Sequence, residues 1–259
     1  MESLPSTPGL GELYHVEGLS KSYGKLQVLD QLSFGVERRE CLVIMGRSGC
    51  GKSVTLRLLN GLEAPDSGRI LLDGTDIVGL TERELYPVRR RVAMLFQSGA
   101  LFDSMTVLEN IAFPLREHTD LGDQAIAAKV AEKLALVRLS GIEQKMPADL
   151  SGGMRKRVAL ARSLALDPEV VLFDEPTSGL DPVTSATIAE LILGAREAQG
   201  VTSVVVTHDI PLGRRVGDRV AFLEGGEFRF LGTWDEADRS DDPVFCAFLA
   251  GSSEAADAA

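Results

Sequence analysis

Dense apolar runs separated by turn residues predict strands at Tyr14 to Glu17, Val28 to Val36, Cys41 to Met45, Arg69 to Leu72 and Val92 to Phe96. Only one helix, Lys52 to Leu59, is clear among them. From Thr106 to Leu166 the period lengthens, with Ile126, Val130, Leu134 and Val137 three or four residues apart, which predicts a helical insert. Alternation then returns: strand Val170 to Phe173, helix Val183 to Ala198, strand Thr202 to Val206, a helix near Pro211, and strands Arg219 to Leu223 and Glu227 to Phe230. Pro182 suits the first turn of a helix, and Pro168 suits a helix stop. Strands alternating with helices predict an α/β fold with a parallel core sheet.

Bulk properties narrow the picture. With 259 residues and 44% hydrophobic side chains, the chain can bury a full core as one large domain, or as one domain with a smaller subdomain. Its 27 basic and 38 acidic residues leave a net charge of −11, which opposes a broad grip on nucleic acid or anionic lipid and predicts no nucleic-acid partner. No apolar stretch approaches the roughly 20 residues that span a bilayer, and the opening MESLPSTPGLGEL has neither a basic n-region nor an apolar h-region. The expectation is a chain neither secreted nor membrane-spanning. Cys41, Cys50 and Cys246 form no C-x-x-C pair, which suits a reducing cytoplasm. His15, His118 and His208 are too scattered for a zinc site built on histidine, so any metal is expected to arrive with a ligand. There is no internal repeat, and the small, acidic tail 251–259 is expected to be disordered.

The chemistry begins after the run Cys41 to Met45. Gly46-Arg47-Ser48-Gly49-Cys50-Gly51-Lys52-Ser53 fits G-x-x-x-x-G-K-[ST] at every fixed position. Glycines let backbone N–H groups converge on phosphate oxygens, Lys52 brings a point charge to the β/γ-phosphates, and Ser53 offers a hydroxyl to Mg²⁺. The helix that follows adds the positive end of its dipole. Downstream, the apolar strand Val170 to Phe173 runs into Asp174 and Glu175, at the strand end where an open α/β sheet presents its ligands. Adjacent strand residues face opposite ways, so Asp174 is expected to help hold Mg²⁺ while Glu175 polarises an attacking water. An isolated Asp-Glu pair would read as solvated surface; the glycine-rich loop upstream reverses that. Gln97 opens the passage into the helical insert, where it could touch both metal and a moving subdomain. His208 follows a third strand and is read as functional for that position. Ser151, Gly152 and Gly153 precede a helix expected over Arg155 to Leu166 and make a second anion-binding surface. Two phosphate surfaces and one loop suggest a nucleotide shared between two copies of the chain.

Taken motif by motif over residues 13–232, the chain resembles the nucleotide-binding subunit of ATP-binding-cassette transporters. The resemblance implies a P-loop NTPase (RecA-like) core with an antiparallel β subdomain and an inserted α-helical subdomain at about 98–166. It makes Gly46 to Ser53 the Walker A loop, Gln97 the Q-loop glutamine and Leu150-Ser151-Gly152-Gly153-Met154 the signature. Asp174 and Glu175 become the Walker B aspartate and catalytic glutamate, Ser178-Gly179-Leu180-Asp181 the D-loop with Asp181 near nucleotide, and His208 the switch histidine. Tyr23 falls where the family stacks an aromatic on adenine. The implied cofactors are ATP and Mg²⁺. The implied partners are a second copy arranged head to tail, an integral membrane permease on whose cytoplasmic face the subunit sits, and room for an accessory subunit.

Met154 stands where most of the family has glutamine. With Met94 to Phe102 and Phe113 to His118, it resembles the ATPase of MCE-type (Mla) phospholipid transport systems, which implies lipid cargo. The runner-up is an amino-acid, metal or drug system. A translation or DNA-repair ATPase of the same superfamily would usually carry two cassettes in one chain, and a scaffold would be expected to lose Lys52 or the carboxylates. Leu101 and Phe102 are read either as lining a permease groove or as core. The extension 233–250, with Phe245, Phe248 and Leu249 on one apolar face, is read as a docking arm or as a helix folded on its own domain.

Overall fold

A computed structural model describes residues 11–251. In chain order the elements are β1 (Glu12–Tyr23), β2 (Leu26–Glu37), β3 (Cys41–Met45), α1 (Lys52–Leu59), β4 (Ser67–Leu72), β5 (Thr75–Asp76), α2 (Glu82–Arg91), β6 (Val92–Leu95), α3 (Val107–His118) and α4 (Asp123–Leu136). A single 3-10 turn, Pro147–Asp149, leads to α5 (Gly152–Ser163), β7 (Val170–Asp174), α6 (Pro182–Gln199), β8 (Thr202–Thr207), α7 (Ile210–Val216), β9 (Arg219–Glu224), β10 (Glu227–Thr233), α8 (Trp234–Ala237) and α9 (Pro243–Leu249). The expected β3 and α1 are found with the same bounds. Helix α2 was not expected: only its Leu85 and Val88 are buried, so its stripe is too thin to stand out among Glu82, Glu84 and Arg89 to Arg91. Helix α5 begins three residues earlier than expected because Ser151 is its N-cap, accepting from Met154 N at 3.3 Å. The expected disorder of 252–259 lies outside the described residues, and none of the described helices is long and apolar enough to cross a membrane.

The chain divides into two compact units. The first, residues 11–85 with 204–251, contains an antiparallel sheet in the order β2-β1-β4-β5. Fully buried Tyr14 anchors it, donating from its hydroxyl to Leu59 O at 2.9 Å. Strand β3, buried along its whole length, pairs in parallel with β9, and β9 pairs antiparallel with β10. Phe245 of α9 stacks between Phe222 and Phe230, with ring centroids 4.9 and 4.8 Å away, and Phe248 lies 4.9 Å from Phe222. Burying such a side chain contributes about 2–3 kcal/mol, so the apolar face of the extension is spent on its own unit and is not a free docking arm.

The second unit, residues 86–203, pairs β6 with β7 in parallel, Val92 opposite Val170 through Leu95 opposite Phe173. Arg91 closes the strand start with a two-pronged bridge to Glu169, Nε to Oε1 2.7 Å and a second nitrogen to Oε2 2.9 Å. Thr106 and Glu109 form a capping box at α3. Lys133 on α4 is fully buried, its ammonium paired with Asp167 beyond α5.

Candidate functional site

In the first unit, the loop between β3 and α1 is shaped by its glycines. Gly49 and Gly51 have φ of 82° and 108°, in the region where a Cβ is strained. At Gly51 a Cβ would also come within 2.6 Å of Leu29 Cδ2, and at Gly46 within 2.3 Å of the Leu223 carbonyl oxygen on β9. Gly49 differs: no heavy atom lies within 4 Å of where its Cβ would be, so the loop is open on that side. Lys52 is buried and donates from Nζ to the carbonyls of Gly46 at 2.8 Å and Arg47 at 3.0 Å, which puts its charge inside the curl. Arg47 and Ser48 lie on the outer part of the loop, half-buried and exposed. Helix α1 has no side-chain cap and no acidic residue in its first turn, so its positive end is not offset by a carboxylate there. A glycine-walled loop, a lysine within it and a half-buried Ser53 fit a triphosphate with its metal ion.

Cys50 turns inward, its sulfur 2.6 Å from where a Gly46 Cβ would stand. Burial pushes its thiol up, against the pull of the Lys52 charge. Tyr23, at the end of β1, is exposed, with Lys21 Nζ 5.5 Å from its ring centroid and its hydroxyl bonded to Glu63. His208 sits just past β8 and is exposed.

In the second unit, β7 stops at buried Asp174. Glu175 is not a strand residue: its φ of 45° puts it in a left-handed turn, so strand alternation does not separate the two carboxylates, and the chain reversal does. The Glu175 carbonyl accepts from Ser178 N at 3.1 Å. Gln97 is exposed and donates from Nε2 to Ser178 Oγ at 3.3 Å, so the Q-loop amide and the turn after Glu175 meet. Ser151 and Gly152 are exposed at the start of α5, while Gly153 is walled by Thr184, whose Cγ2 would lie 2.5 Å from a Cβ there. Asp181 uses its carboxylate to cap α6, Oδ1 accepting from Val183 N and Thr184 N at 3.0 Å each. The Thr184 hydroxyl donates to its other oxygen and, with those amides, holds the carboxyl below its usual range.

Sequence reasoning missed several buried polar side chains in this unit, among them Asn110 and Lys156. Asn110 accepts from Phe102 N at 2.8 Å and donates to the carbonyls of Phe102, Met105 and Thr106 at 3.1, 3.0 and 3.0 Å. Lys156, on α5, donates to the carbonyls of Gln97 and Glu175. Burial pulls its pKa down, while the charges of Asp174 and Glu175 pull it back up. The signal was present: Lys156 sits one turn before buried Ala159 and Leu160, a cation on the apolar stripe of its helix.

Two nucleotide-type motifs on an α/β frame, a glycine loop before a helix and an apolar strand ending in carboxylates, define a P-loop ATPase. The chain belongs to the ATP-binding-cassette transporter family, whose description, ABC transporter, matches residues 29–178. A second family, described as AAA domain, putative AbiEii toxin, Type IV TA system, matches the shorter span 146–212. It is an ATPase, with ATP and Mg²⁺ as its ligands. The chain is 44% identical over 248 residues to the probable ribonucleotide transport ATP-binding protein mkl of Mycobacterium tuberculosis, covering 95% of this chain and 69% of that one. It is 42% identical over 242 residues to the intermembrane phospholipid transport system ATP-binding protein MlaF of Escherichia coli, covering 93% and 90%. Among solved structures, the dimeric post-hydrolysis state of the ATP-binding cassette MJ0796 bound to ADP and Pi is similar at TM-score 0.80 and 32% identity, over 85% of this chain and 98% of that one. So is cbiO1 of Clostridium perfringens, part of the ABC transporter complex cbiONQ, at TM-score 0.81 and 28% identity, over 92% and 95%.

Proposed function

We propose that the chain energises a membrane permease that moves phospholipid, hydrolysing ATP between two copies of itself. The similarity to MlaF across 90% of that protein's length carries the cargo reading, and it agrees with the resemblance drawn from Met154 and the Gln97 region of this sequence. A ribonucleotide cargo is the second reading, resting on the similarity to mkl, a probable ribonucleotide transport ATP-binding protein. Purifying the chain with its permease and identifying what co-purifies besides ATP and ADP decides between them; a ribonucleotide other than ATP or ADP, without lipid, would sink the first.

In this reading Lys52 and the amides of Arg47, Ser48, Gly49, Cys50 and Gly51 bind the phosphates, and Tyr23 offers its exposed ring to adenine. Ser53 and Asp174, with Gln97, would hold Mg²⁺, which when bound neutralises charge on the phosphates. Glu175 takes a proton from the attacking water and His208 steadies the γ-phosphate. Ser151, Gly152 and Gly153 grip the γ-phosphate bound by the partner copy, with the Asp181 turn beside them. Residues 13–232 form the cassette, with 98–166 as a moving arm on the permease. Exposed Phe102 and Phe113, whose ring centroids are 5.0 Å apart, offer an apolar patch for a permease helix at the cytoplasmic membrane face. An accessory subunit would have to dock elsewhere than on Phe245. The test is Glu175→Gln: turnover should fall about 10²- to 10⁴-fold with MgATP still bound, and wild-type turnover would remove Glu175 as the base.

A further inference from the structure

No step above uses the buried cation of α5. Lys156 is 7% exposed, and its ammonium serves two backbone carbonyls distant in sequence: Gln97 O, and Glu175 O at 3.4 Å. The second acceptor belongs to a non-glycine residue in the left-handed region, a conformation that persists only where its surroundings over-determine it. The same helix repeats the device further along. Arg162 donates to Gly99 O at 3.0 Å and to Ala100 O at 2.9 Å, and Ala100 is likewise left-handed at φ 47°. Helix α5 therefore uses basic side chains as staples for irregular backbone, and Lys156 staples the two residues assigned to the attacking water and the metal. Because the ammonium can donate three hydrogen bonds, it can serve both carbonyls at once.

We propose that Lys156 is a positioning residue for ATP hydrolysis, tying the backbone of Glu175 to that of Gln97 and tying both to the helix that begins at Ser151. This rests on the reading of Glu175 as the base, and it adds a consequence. Ser151 at the head of α5 is assigned to the partner's nucleotide, so a shift of α5 when that nucleotide is gripped moves the Glu175 and Gln97 backbones of its own copy together. Each copy's catalytic geometry then responds to the nucleotide bound by the other.

The test uses the full chain, with phosphate release, binding of a fluorescent ATP analogue and thermal melting measured in parallel. Lys156→Met keeps the apolar stem and removes the donors. It should lower kcat about 10- to 100-fold while nucleotide affinity stays within about two-fold. Lys156→Arg should recover most of the rate, and Lys156→Met added to Glu175→Gln should lower the residual rate by less than about two-fold, since both act on one group. Should Lys156→Met not fold, Lys156→Gln is read on the same three measurements. A kcat within about two-fold of wild type in the lysine variant, or a loss of nucleotide affinity matching the loss of rate, overturns the proposal. Glu175→Gln measured alone keeps the claims apart: wild-type turnover there removes the base assignment, whereas the Lys156 claim falls on the Lys156 variants.

Discussion

Cys50 is the residue whose meaning changes most between sequence and structure. The motif places it among phosphate-binding amides, where a thiol could be read as exposed and reactive, yet its sulfur packs under Gly46. Burial raises its pKa above that of a free cysteine, so at pH 8 less of it is thiolate than in a free cysteine, and the reactive fraction grows as pH rises. Exposed Cys246 supplies an internal comparison. Iodoacetamide at pH 8 should label Cys246 first, Cys50 should catch up as pH is raised, and MgATP should slow Cys50 alone; peptide mass mapping over time reads all three. Equal rates at pH 8 would sink the packed placement. Full modification of Cys50 with no loss of turnover would place it outside the working part of the loop. Glu175 teaches a related lesson. Its chemistry was legible from the Asp-Glu pair, but its left-handed φ was not, because nothing in a glutamate's own preferences asks for it.

Elements were legible where one force dominated. β3 has buried side chains throughout, so its apolar run marks both ends, and α1 is bounded by the glycine before Lys52. Where two forces compete, the pattern fails: α2 is mostly charge with a thin buried stripe and carries Pro87, and α5 opens with glycines that carry no period. Around Leu101 and Phe102 the sequence left a permease groove and core both open. What shapes the segment from Ser98 to Met105 is side-chain hydrogen bonding from outside: Asn110 on α3 fills four backbone partners, and Arg162 on α5 fills two more and lies 5.6 Å from the Phe102 ring centroid. Asn110→Ala should therefore take their side-chain partner from Phe102 N and Met105 O, whereas Phe102 O and Thr106 O keep the backbone donors Met105 N and Asn110 N, at a cost of about 1–3 kcal/mol, which lowers the melting temperature and accelerates amide exchange at 102–106. Unchanged exchange there would show that the asparagine does not hold the segment. The same variant should weaken permease docking more than it weakens nucleotide binding, since the exposed Phe102 ring rides on that segment.

Two copies of this chain, each at −11, repel at long range, so closure must be driven by short-range contacts at the nucleotide and not by a general attraction. That makes the proposed dimer conditional on ATP, and it points to a substitution that separates folding from assembly. Gly152 is exposed at the first position of α5, and a Cβ there would meet only Leu180 at 3.8 Å and Arg155 at 4.0 Å, ordinary contacts. Gly152→Asp should therefore fold, and a carboxylate in the first turn favours the helix. In the closed dimer the same carboxylate would face the γ-phosphate held by the partner's loop, a like-charge encounter in a site built for an anion. Glu175→Gln with MgATP should run at twice the single-chain mass by light scattering. Gly152→Asp in that background should stay at the single-chain mass, with a melting temperature no lower than that of Glu175→Gln and unchanged binding of nucleotide to its own loop. If the double variant dimerises as readily as Glu175→Gln, the helix start is not where the second copy grips the nucleotide, and the route from partner nucleotide through α5 to Glu175 loses its first step.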